Sequence, residues 1–190
     1  MKTLNLIMIA ASSALIMQAC HNGNNTATTT DTTTTTDATK TDTTKMLAAD
    51  TVDISFATKA AQGGMTEIAL SKLELQSSNN KIKDFANMMV TDHTDAGNKL
   101  AAIAKAKNIT LPALPDTVQQ ATIADISKKT GVALNKAYVA QMVTDHKNTI
   151  AMFEAAQKTV KDTTLKAFIT NTLPTLHKHM DAINAIKSGM

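Results

Sequence analysis

The stretch "IKDFANMMVTDHTDAGNKLAAI", from Ile82 to Ile103, places Ile82, Ala86, Met89, His93, Ala96, Leu100 and Ile103 at alternating spacings of four and three residues. Side chains so spaced share one face of an α-helix, so they form a core-facing stripe with a histidine at its middle. The pentapeptide "MVTDH" within it, Met89 to His93, recurs as Met142 to His146. An offset of 53 residues carries the stripe from Ala86 onward to Val139, Met142, His146, Thr149, Phe153 and Ala156. Two helices therefore turn a histidine, with a methionine one turn before it, toward a common interior.

Two further segments keep the period. Leu165, Ile169, Thr172, Leu176, His179, Ile183 and Ile186 form one stripe, and Phe56, Ala60, Gly63, Glu67 and Leu70 the other. Helices are thus expected over about 52–77, 81–107, 131–160 and 163–188. "SSNN" (Ser77 to Asn80) separates the first two, with Asn80 as the expected N-cap, and Asp162 should cap the last. The prolines of "NITLPALPD" (Asn108 to Asp116) end the second, and "TVQQATIADISKK" (Thr117 to Lys129) reads as a short connecting helix. Strand patterning is absent. The expected fold is all-α, a ferritin-like four-helix bundle with a short extra helix in its long central crossover. Pro174 should kink the last helix and free the Thr170 carbonyl. The small residues of Gln62 to Gly64 should let helices approach closely.

Glu67, His93, His146 and His179 each interrupt an apolar stripe near mid-helix, so at ~1.5 Å rise per residue they share one layer of the core. An unpaired buried polar group costs roughly 2–7 kcal/mol, so the four must be satisfied together. Two solutions remain open. A transition metal (Zn, Cu or Fe) takes imidazole and carboxylate ligands, with Asp92 and Asp145 as outer acceptors, although neighbouring helical residues point about 100° apart. Alternatively the layer is a hydrogen-bond network that only specifies packing, in a structural or interaction module. Met89 and Met142 are core filling on one reading and soft thioether ligands for Cu(I) on the other. Val90 and Val143 stand where a Glu-x-x-His motif would need Glu, which argues against a di-iron oxidase. No nucleophile elbow, phosphate loop or Cys-His pair appears, and no catalytic residue is assigned. His177 should face outward.

Outside the helical part, Lys2 precedes an apolar run from Leu4 to Met17 that is too short to span a bilayer and right for a signal peptide. It ends at Cys20, the only cysteine. This resembles a bacterial lipoprotein signal, implying lipidation at Cys20 and an envelope protein held to a membrane, expected to be the outer one. Residues 20–46 are mostly Thr with scattered Asp and Lys and read as a disordered tether that also contains His21. Its two "DTT" triplets resemble an O-glycosylation acceptor pattern at Thr32 and Thr43. The expected organisation is signal 1–19, lipidated Cys plus tether 20–46, and bundle 47–190. With 19 basic and 16 acidic residues interspersed, one Tyr and no Trp, nothing marks a nucleic-acid surface.

Four blocks, "FATKAAQGGMTEIALSKLEL" (Phe56 to Leu75), "IKDFANMMVTDH" (Ile82 to His93), "AYVAQMVTDH" (Ala137 to His146) and "LPTLHKHMDA" (Leu173 to Ala182), resemble the bacterial family called domain of unknown function 4142. The resemblance implies a ferritin-like helical fold in a secreted or lipid-anchored protein and no known activity. It places the family's recurrent Glu on Glu67, its Asp-His pairs on Asp92-His93 and Asp145-His146, and its later His on His179. Leu134-Asn135 depart from the Phe-Asp usual in that family.

Overall fold

Five helices follow one another in the computed structural model, which describes residues 49–190: α1 (Thr51–Glu74), α2 (Asn80–Ala106), α3 (Thr117–Ser127), α4 (Gly131–Thr159) and α5 (Thr163–Ser188). No strand occurs among the described residues. The four long helices close a ring of neighbours, α1 on α2, α2 on α5, α5 on α4 and α4 on α1, while α3 lies against α1 and α4. The result is an all-helical bundle.

Local sequence sets the helix ends. Asp50 caps α1 by accepting from the Val52 N–H, and Asp162 caps α5 by accepting from Thr164 and Leu165. At α3 the Asp116 carboxylate and Gln119 amide form a reciprocal capping box. The cap of α2 is Asn79 and not the expected Asn80: Asn79 has extended backbone and accepts from Lys81 and Ile82, while Asn80 is the first helical residue. After α2, Asn108 adopts φ of 53°, a left-handed conformation that Asn tolerates, and the Ile109 N–H turns back to the Ala104 carbonyl. Gly131 opens α4 at φ of 54°, where a side chain would be strained. α5 runs through Pro174 as one helix, with Leu173 and Leu176 buried on either side.

The apolar core is in two parts. One cluster includes Phe56, Leu100, Phe153, Leu165, Ile169 and Leu176. The other includes Leu70, Ile82, Met89, Tyr138, Met142 and Ile183. On every long helix the polar residue singled out above falls in sequence between these two sets. The core is therefore divided by a polar layer made of Glu67, His93, His146 and His179, all buried.

Polar contacts also join the elements away from that layer. Buried Asp53 accepts from the Lys161 and Asp162 N–H groups at 2.8 and 3.1 Å, tying the start of α1 to the α4–α5 turn. Ser71 and the Tyr138 hydroxyl share a buried bond of 2.8 Å. No helix among the described residues is long and apolar enough to cross a membrane. The expected signal peptide, Cys20, the Thr tether, Thr32 and Thr43 lie outside the described residues.

Candidate metal centre

Each long helix delivers one member of the polar layer: α1 Glu67, α2 His93, α4 His146 and α5 His179. One ring nitrogen from each histidine lies within 4.8 Å of the others. The rings pack at centroid distances of 5.4 to 5.9 Å, and Phe85 approaches His146 and His179 at 6.5 and 6.4 Å.

Hydrogen-bond partners fix which nitrogens carry protons. The Nδ1 of His146 lies 2.9 Å from the Met142 carbonyl, which can only accept, so Nδ1 is the donor and Nε2 keeps its lone pair. The Nε2 of His179 lies 2.8 Å from Asp92 Oδ2 and donates to that carboxylate, leaving the lone pair on Nδ1. These two lone-pair nitrogens, His146 Nε2 and His179 Nδ1, face each other at 3.3 Å. Two acceptors do not bond each other; they need either a metal ion between them or a further proton on one ring, which burial opposes at both. The third imidazole has its Nδ1 3.3 Å from Glu67 Oε2, and its Nε2 is buried without a partner.

Burial keeps the layer uncharged. Desolvation lowers His93 to about 3, helped by His179 and His146, and lowers His146 to about 4 against the opposing pull of the Met142 carbonyl. It lowers His179 as well, with Asp92 pulling the other way. Burial first and Asp145 second push Glu67 well above the ordinary carboxylate range. Glu67 stands 3.3 Å from the Nδ1 atoms of both His93 and His146, yet these contacts join neutral groups, because neither partner ionises readily at that depth. Three neutral imidazoles are already in the protonation state that metal ligation requires.

The residues fit a metal. Two nitrogens held at ~2.0–2.1 Å by one tetrahedral ion stand ~3.3–3.4 Å apart, which matches the His146–His179 separation. A ligating histidine usually donates its other ring N–H to a carbonyl or carboxylate, and His146 and His179 do so through Met142 and Asp92. The three histidines could therefore hold an ion, with Glu67 beside the set.

Asp92 accepts from His179 on α5 and not from its sequence neighbour His93, because the 100° step along the helix turns it to the next face. Asp145 accepts from Gln141 at 2.8 Å, leaves Oδ2 buried and unpartnered, and shows no bond to any of the three histidines. Met89 and Met142 are fully buried in an apolar cluster, and it is the Met142 carbonyl that meets His146. His177 is exposed, 3.8 Å from Glu154. Sequence reading missed the Met142 carbonyl, which leaves no signal because any residue there supplies one. Gly64 does not mark a tight approach: an added Cβ would come no nearer than 3.8 Å to His93 Nδ1 and at Gly63 would meet nothing within 4 Å. Both glycines line cavities.

An all-helical bundle with a buried histidine triad is the class these features define. A family model described as "Domain of unknown function (DUF4142)" matches residues 24–186, and the chain belongs to that family. The crystal structure of a DUF305 fragment from Deinococcus radiodurans is similar to this chain with a TM-score of 0.65 at 12% identity, over 76% of this chain and 100% of that one. That likeness concerns the fold alone. No curated protein matches the chain.

Proposed function

We propose that this protein is a lipid-anchored component of the cell envelope whose bundle, ferritin-like in arrangement, binds and sequesters a transition metal ion. His93, His146 and His179 are the ligands; Glu67 and Asp92 orient them from their far sides. The observation that carries this reading is the 3.3 Å approach of two imidazole nitrogens that both present lone pairs. Three neutral imidazoles suit Zn and Cu best. A layer that only specified packing would need an extra proton between these two rings, against the burial that lowers the proton affinity of both.

Titration of chelator-treated full-length protein with Zn and with Cu tests the reading. One equivalent should bind and raise the melting temperature, since an ion that binds only the folded state adds ~2.7 kcal/mol at a hundredfold excess over its dissociation constant. Absence of both binding and thermal shift with either metal would overturn it.

Support for the anchor comes from the sequence, namely Lys2, the run Leu4 to Met17 and Cys20. Acyl chains contribute ~0.8 kcal/mol per buried CH₂, so Cys20→Ser should move the protein from the membrane to the soluble fraction. Retention of the variant in the membrane fraction would remove the lipid from the proposal.

A further inference from the structure

A cavity of about 330 Å³, at the lower end of the range of small-molecule sites, is lined by residues of α1, α2, α4 and α5. Its walls are almost wholly apolar, with Ile68, Leu100, Phe153 and Phe168 among them, and no lysine lines it. Four polar side chains lie in the wall: Thr149; Thr172, whose hydroxyl is already given to the Phe168 carbonyl; and Glu67 and His93, each nearly fully buried. The last two each carry a buried polar atom without a hydrogen bond, His93 Nε2 and Glu67 Oε1, the latter in contact with His146 Nδ1 at 3.3 Å.

The backbone leaves this space open at a cost. Gly64 in α1 and Gly97 in α2 both line it. Each glycine inside a helix is ~0.5–1 kcal/mol less favourable than alanine. Neither is there to avoid a clash, since a Cβ at Gly97 would meet nothing within 4 Å and one at Gly64 only an ordinary contact at 3.8 Å.

We propose that this cavity binds a small uncharged molecule with an apolar body and a single hydroxyl head, in the size class of benzyl alcohol. The body lies along Gly64, Gly97, Leu100 and Phe153, and the hydroxyl, donor and acceptor at once, pairs with Glu67. A cationic or anionic head would have to leave water for an apolar cavity whose one acidic group is tied to the histidine layer and whose wall holds no lysine or arginine. The site does not depend on the metal: a bound ion would occupy His93 and leave the Glu67 carboxyl to the ligand.

The test is titration of chelator-treated full-length protein, followed by calorimetry, with four ligands of one shape: benzyl alcohol, toluene, benzylammonium and benzoate. Benzyl alcohol should bind saturably and at least about tenfold more tightly than the other three, one well-made hydrogen bond in an apolar site being worth about that factor. Gly97→Leu, which fills the cavity from α2, should weaken it at least about tenfold with the helical circular dichroism unchanged. Gly64→Ala should weaken it in the same direction from α1. Equal binding of toluene, preference for either charged ligand, binding only after metal is added, or indifference to both glycine variants would each overturn the proposal.

Discussion

His146 is the residue on which the two readings of the polar layer part. Its ring is fully buried, its Nδ1 proton is given to a carbonyl that also serves the helix, and its Nε2 points at another acceptor. In the metal-free protein, then, His146→Leu removes an acceptor that has no donor and leaves Glu67 in the neutral form that burial already favours. The expected change in metal-free stability is small, within about 1 kcal/mol of either sign, because no buried charge is stranded. With Zn or Cu present the variant should lack the thermal gain of the parent, so the two proteins separate only when metal is added. An ionised Glu67–His146 pair would behave otherwise: breaking it costs ~3–5 kcal/mol whether or not metal is there. Melting curves of both proteins with chelator and with metal distinguish these cases, and equal losses in the two conditions would show that the layer is held by charge.

Helices are the scale at which the sequence was most readable, and unevenly so. On α2 and α5 the apolar residues fall on one stripe, so period and boundaries came within a few residues of the structure. The buried face of α1 is mixed: Asp53, Thr66, Glu67, Ser71 and Glu74 are interior alongside Phe56, Ala57 and Leu70. Apart from Glu67, an apolar pattern does not find such residues: Asp53 and Ser71 are compensated by partners far along the chain, the Lys161 and Asp162 amides and Tyr138. The candidate site was legible for a related reason. A polar residue in an apolar stripe stands out in one dimension, so the members of the layer could be named. Their mutual arrangement could not: that Asp92 serves His179, and that a backbone carbonyl holds His146, depends on helix rotation and on which neighbour lies across the groove. Cavities leave still less trace. Gly63 and Gly64 read as small residues for close packing, whereas the space beside them is a property of four surrounding helices.

Stability of the whole bundle should report the state of the layer through its response to pH. A histidine held neutral in the fold binds its proton only near pH 4 for His146 and near pH 3 for His93, whereas the unfolded chain binds it near 6.5. As pH falls below about 6.5 the unfolded state takes up protons that the native state refuses, and stability is lost; above 6.5 the full contribution is present. Glu67, Glu74 and Asp145 act in the opposite sense, since burial raises all three and the native state keeps protons that the unfolded state has released. The parent's profile is therefore a balance in which no single group shows. The difference between parent and His146→Leu, both metal-free, removes the common groups and isolates one imidazole. That difference should be level above pH 6.5 and then shift in favour of the variant as pH falls to about 4. Its slope should be roughly 1 kcal/mol per pH unit, levelling off below pH 4 once both states of the parent are protonated. Denaturant melts of the two proteins at half-unit intervals from pH 3.5 to 8 measure it. A flat difference across that window would mean that His146 titrates in the fold as it does in water, and that the layer is not the dry, neutral site that ligation by three imidazoles requires.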